Sequence, residues 1–226
     1  MSLQADLEAE VHRVWAGQTD GAHDIWHVRR VWATCGMIAD QMAYPVNRDV
    51  LMIAAYLHDI INLPKDDPQR AQAASLSADH AVAWMQARGI AGQEQVHHCI
   101  SAHSFSAGVP CETAEARILQ DADRLEALGA IGIARCFSVS GQMGRGLVHG
   151  GDPLADARAL DDGAYALDHF EVKLYRIAET LHTEPARAIA AERVAFMRAF
   201  VAQMVGELRV GSDPNPSDPF PSDGAG

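Results

Sequence analysis

The chain has 226 residues, of which 48% are hydrophobic and 21% charged, the make-up of a folded globular protein rather than a disordered one. Asp and Glu number 30 against 18 Lys and Arg, a formal net charge of −12. That balance excludes a binder of polymeric nucleic acid, which needs a basic footprint. An anionic small molecule would have to be held by cations gathered locally.

The periodicity is helical almost throughout. Leu3, Leu7, Val11 and Val14 recur at helix spacing behind a Ser2 cap. A second helix is expected from Asp24 to about Met42, before Pro45, with Ile25, Val28, Trp32, Cys35 and Ala39 on its buried stripe. Asn47 caps a third, which carries Val50, Ile53, Ala54 and Leu57 inward and stops before Pro64. A fourth is expected from Pro68 to Arg88, ahead of Gly89, and a fifth from Gln93 to Phe105.

Thr113 is the expected cap of a sixth helix with Ile118, Leu119 and Leu125. Residues Gly141 to Ala159 are rich in Gly and Asp and read as a long loop. A seventh helix is expected from Asp161 to Leu181. Thr183-Glu184-Pro185 then opens a last helix ending near Arg209. No strand pair, hairpin signal or internal repeat is apparent. The reading is all-α: one helical-bundle domain over 1–210, and a flexible tail over 211–226 rich in Pro, Gly and Asp.

No apolar run nears the roughly 20 residues of a membrane span. The first residues lack the basic and apolar regions of a signal peptide. The four cysteines show no CxxC spacing and read as reduced thiols, so a cytoplasmic protein without a membrane partner is expected.

Eleven histidines are present, and their placement carries the chemistry. His58-Asp59 ends the apolar run Leu51 to Leu57, His27 lies one helix earlier, and Asp121 lies well downstream. An HD dipeptide alone is common by chance and reads as a satisfied core histidine beside a surface acid. An Asp at the end of an apolar stripe nevertheless costs free energy unless a cation or hydrogen bonds compensate it. Imidazole and carboxylate together suit a borderline or hard divalent metal.

The order His27, His58-Asp59, Asp121 resembles the H…HD…D signature of the HD-superfamily metal-dependent phosphohydrolases. The words HDIWHVRRVW, AAYLHDI, HSFS, ILQDADRLEALGAIGIAR and HFEVKL resemble the YedJ/YpgQ-like branch, similar to nucleotide pyrophosphohydrolases. They span nearly the whole folded part. The resemblance implies an all-helical HD domain in which His27, His58, Asp59 and Asp121 bind one divalent ion (Mn²⁺, Mg²⁺, Fe²⁺, Co²⁺ or Ni²⁺). It departs at Glu126, where relatives usually show Asp, and at Asn62, where some HD nucleotidases carry an acid or His.

The expected activity is hydrolysis of a small phosphate ester or nucleotide, as a nucleoside triphosphate pyrophosphohydrolase or a phosphatase, through a metal-activated water. Asp59, His103 and Asp123 are the catalytic candidates. Lys65, Arg124, Lys173 and His169 are the candidates for holding substrate phosphate. A diiron HD oxygenase, with His80 and His103 as added ligands, and a non-catalytic protein stabilised by its metal are the alternatives. A homodimer is left open.

Overall fold

The computed structural model describes residues 2–16, 24–63, 67, 69–104 and 108–209. Lys65, Pro64, Pro68, Phe105 and the expected tail over 211–226 lie outside the described residues. Nine α-helices occur among the described residues: α1 (Leu3–Val14), α2 (Ile25–Ala39), α3 (Arg48–Leu57), α4 (Ala73–Gln86), α5 (Gln93–His103), α6 (Ala114–Leu125), α7 (Gly129–Gln142), α8 (Tyr175–Glu179) and α9 (Glu184–Arg209). A single 3₁₀ turn (Arg70–Gln72) precedes α4, and a π-helical turn (Phe170–Leu174) runs into α8. The described residues form no strand, only an isolated bridge between Gly146 and Tyr165. No helix among them is long and apolar enough to cross a membrane.

The caps are those the side chains dictate. Ser2, Asp24, Asn47 and Thr113 each accept a hydrogen bond from the backbone N–H three residues on. The apolar stripe of α3 is nearly all-round: Leu51, Ala54, Ala55, Tyr56 and Leu57 have no exposed surface. A helix apolar on every face has to be central, and α3 packs against α1, α2, α4, α5 and α6. Its one polar tip is satisfied: Tyr56 donates to Glu8 Oε1 at 3.0 Å and accepts from Gln4 at 2.9 Å. Arg29 holds the same Glu8 through two bonds of 2.9 and 2.7 Å. One carboxylate thus ties α1, α2 and α3 together.

One expected helix starts late, and one observed helix has no expected counterpart. The sixth helix stops at Leu125, and a separate helix starts at Gly129, whose φ of +72° breaks the α-helical run. A Cβ at Gly132 would overlap the Ala127 carbonyl, so the two helices meet in a turn too tight for any side chain there. The expected seventh helix begins only near Phe170. Asp161 accepts from Gly163 and Ala164 N–H and builds a turn, not a helix. Trp26 is 60% exposed, with the Arg29 guanidinium 4.9 Å above its ring. All four cysteines are free thiols, as expected.

Candidate metal centre

The ends of four helices converge on one point. His27 sits in the first turn of α2, and its N–H is held at 2.8 Å by the Asp24 carboxylate that caps the helix. His58 and Asp59 follow the last residue of α3. His103 is the last residue of α5, and Asp123 lies in the last turn of α6. His27, His58 and His103 are buried, whereas the Asp59 and Asp123 side chains keep 26% and 29% of their surface. The cluster is therefore dry beneath and open on its carboxylate side.

The His58 and His103 rings are each fixed by an acceptor at Nδ1. His58 Nδ1 lies 2.9 Å from the Ala55 carbonyl, and His103 Nδ1 lies 2.6 Å from that of Ile100. His27 Nδ1 faces Glu126 Oε2 at 3.5 Å. An acceptor at Nδ1 takes the ring proton of a neutral imidazole and leaves the Nε2 lone pair for a metal. The three Nε2 atoms then face the acids. His27 Nε2 is 3.6 Å from Asp123 Oδ1, and His58 Nε2 is 3.4 Å from Asp59 Oδ2 and 3.8 Å from Asp123 Oδ1. His103 Nε2 is 3.3 Å from Asp59 Oδ1. The neighbouring rings stand 5.4 and 5.0 Å apart.

The donor atoms of His27, His58 and Asp59 all lie within 4.8 Å of one another, and so do those of His58, His103 and Asp123. His58 Nε2 is buried and makes no hydrogen bond. A buried polar atom left that way, aimed between two carboxylates, fits a divalent ion of the imidazole–carboxylate class.

Electrostatics set His58 apart from His103. Burial drives the His58 pKa below its usual value against the pull of Asp59, so the ring stays neutral as a ligand must. Burial also disfavours charge on His103, but its hydrogen bond to Asp59 and the charges of Asp59 and Asp123 prevail and raise its pKa to about 9. Glu126 is 2% exposed, and burial pushes its carboxyl pKa up. The hydrogen bonds with His27 and Arg30 (the latter 2.7 Å) outweigh this and bring it below the usual range. An ionised Glu126 thus orients His27.

The structure separates Asp121 from this cluster. Asp121 has no exposed surface. Its Oδ1 accepts from His182 N–H at 2.8 Å, and its Oδ2 accepts from Thr183 N–H at 2.8 Å and Thr183 Oγ1 at 2.7 Å. Residues two apart on a helix point about 200° apart, so Asp121 anchors the start of α9 while Asp123 faces the histidines.

The other candidates divide. Lys65 lies outside the described residues. Arg124 donates Nη1 to the Thr180 carbonyl at 2.7 Å and to Thr180 Oγ1 at 3.0 Å, which ties it to the turn before α9. His80 is bonded to Glu10 at 2.8 Å on α1, remote from the cluster. Lys173 and His169 line a cleft between α7 and the π-helical turn that none of the five cluster side chains lines. Sequence reasoning passed over Arg135 and Arg145, which share that cleft; the surplus of acid in the chain was the signal that any pocket without carboxylates is worth finding.

The family model for the HD domain matches residues 25–128, which include all five cluster residues. YpgQ of Bacillus subtilis (strain 168) is 35% identical over 217 residues, 89% of this chain and 94% of that one. The crystal structure of Bacillus subtilis YpgQ in complex with ADP superposes with a TM-score of 0.68 at 29% identity, covering 90% of this chain and 94% of the other. An HD-superfamily hydrolase from Bacillus thuringiensis gives 0.67 at 29% identity over 90% and 97%. The chain belongs to the HD superfamily of metal-dependent phosphohydrolases, in its YpgQ-like branch.

Proposed function

We propose that this protein hydrolyses a phosphoryl bond of a small nucleotide, with His27, His58, Asp59 and Asp123 holding one divalent ion. Asp123 takes the place that the resemblance gave to Asp121. The single observation that carries the reading is the convergence of three buried imidazoles and two carboxylates. When bound, such an ion lowers the pKa of a water and neutralises charge on a phosphoryl oxygen.

The side chains do the rest. Asp59 and Asp123 face the open side, where they orient water for attack on phosphorus. His103 Nε2, beside Asp59, is placed to hydrogen-bond a phosphoryl oxygen or the leaving oxygen. The buried histidine floor keeps bulk water to one side of the site. ADP bound to Bacillus subtilis YpgQ supports a nucleotide as the ligand class here.

The test is a screen of nucleoside mono-, di- and triphosphates against Mn²⁺, Mg²⁺, Fe²⁺, Co²⁺ and Ni²⁺, with phosphate and pyrophosphate measured separately. Turnover that stops with chelator, returns with metal and is lost in Asp59→Ala is expected. Retained turnover in that variant would refute the reading. Two metals per chain together with oxygen consumption would establish the diiron alternative instead.

A further inference from the structure

Away from the metal cluster, one cleft combines room with unused positive charge. It has a volume of about 370 Å³ and is bounded by Arg135 and Arg145 on one wall and His169 and Lys173 on the other. No carboxylate lines it. In a chain of net charge −12 with two lysines in all, that grouping runs against the composition. None of Arg135, Arg145 and Lys173 takes part in an ion pair among the described residues. Arg145 Nε is buried with no hydrogen-bond partner.

The backbone fixes these groups. α7 ends in a Schellman turn: Gly144 N–H bonds the Gly141 carbonyl at 3.1 Å and Arg145 N–H bonds that of Ser140 at 3.0 Å. Those bonds satisfy helix-end carbonyls that would otherwise repel an anion. Gly146, the next residue, is held on both its N–H and its carbonyl by Ala164 and Ala166, at 2.9 and 2.8 Å. Opposite, the π-helical turn presents Lys173, and such turns recur at functional sites. The ring of His169 is set by Asp162, 2.8 Å from Nδ1, the one acid touching these residues.

We propose that this cleft is a second site, separate from the metal cluster and independent of metal, that binds a multivalent phosphate-type oxyanion. Two guanidinium forks and an ammonium suit the several oxygens of pyrophosphate or of a nucleotide's phosphate chain. A monoanion would leave most of that charge uncompensated.

The test is titration calorimetry of the full-length chain in chelator, with inorganic pyrophosphate as the probe. Saturable binding of one pyrophosphate per chain is expected. Arg135→Gln and Arg145→Gln should each weaken it at least about tenfold, the loss of one charge-assisted contact. Lys173→Gln, an exposed change that leaves folding alone, should weaken it in the same direction. Asp59→Ala should bind as the parent does. ADP binding more tightly than pyrophosphate would assign the site to a nucleotide's chain, and equal affinity to the free anion. No binding without metal, unchanged affinity in all three cleft variants, or loss in Asp59→Ala would overturn the proposal.

Discussion

Asp121 and Asp123 stand two residues apart on α6 and serve opposite sides of it. Asp121 Oδ2 accepts from Thr183 Oγ1 at 2.7 Å, and Asp123 Oδ1 lies 3.6 Å from His27 Nε2. Removal of each therefore has a different signature. Asp121→Ala leaves three donors at the start of α9, the two of Thr183 buried, without an acceptor, an expected loss of about 3 kcal/mol in stability. Asp123→Ala leaves the fold within about 1 kcal/mol but strips a ligand. Urea denaturation beside metal titration separates the two; equal effects on metal affinity would contradict the assignment.

Glu126 acts on the metal through His27. Glu126→Gln keeps the size but weakens the acceptor opposite His27 Nδ1 and the pair with Arg30. An outer partner of this kind accounts for about 10- to 100-fold in metal affinity. Calorimetry with Mn²⁺ should show that loss while helix content by circular dichroism stays unchanged.

The metal-free site has a pH signature. The pKa of His103 is about 9 in the fold, raised from the ordinary 6.5 of an imidazole. A base whose pKa is raised by folding contributes stability that is full below its unfolded pKa and is lost as pH rises through the folded one. In chelator, stability should therefore fall between pH 6.5 and about 9 by as much as about 3 kcal/mol. His103→Gln should flatten that limb. A divalent ion on Asp59 cancels the field that raises the pKa, so added metal should flatten it too. Urea midpoints across this range are the measurement, and an unchanged slope in His103→Gln would contradict the account.

The segment between α7 and the π-helical turn hangs on one buried ion pair. Arg158 meets Asp168 through bonds of 2.5 and 2.7 Å, and the Asp168 side chain is 1% exposed. Arg158→Ala leaves a buried carboxylate short of its partner, an expected cost of about 3 kcal/mol. The loss should be local: faster amide exchange over residues 146–167 with α3 protected as before. Uniform acceleration across the chain would show the pair supports the whole fold instead.

Much of this was legible from residue patterns. The apolar run into His58-Asp59 identified the central helix, because burial on every face leaves few other readings, and the candidate ligands came from the resemblance of His27, His58-Asp59 and Asp121 to the family signature. The start of α2 was legible because Asp24 caps it and accepts from the His27 backbone N–H. The choice between Asp121 and Asp123 was not, since DAD offers two acids of equal chemistry, and only the docking of Thr183 on α6 decides between them. The break at Gly129 was missed because its neighbours keep a helical period on both sides. The late start of the helix after the loop was missed because Asp161 and Asp162 look like caps and serve as turn and side-chain acceptors. The basic cleft could not be read at all: Arg135, Arg145 and Lys173 are separated in sequence and are joined only by the packing of α7 on the π-helical turn.

The most direct measurement is anomalous diffraction from a crystal soaked in Mn²⁺. The account expects a peak within coordination distance of His27, His58, Asp59 and Asp123, with the Asp121 carboxylate still on the backbone of His182 and Thr183. A peak bound by Asp121, or none among the three histidines, would contradict it.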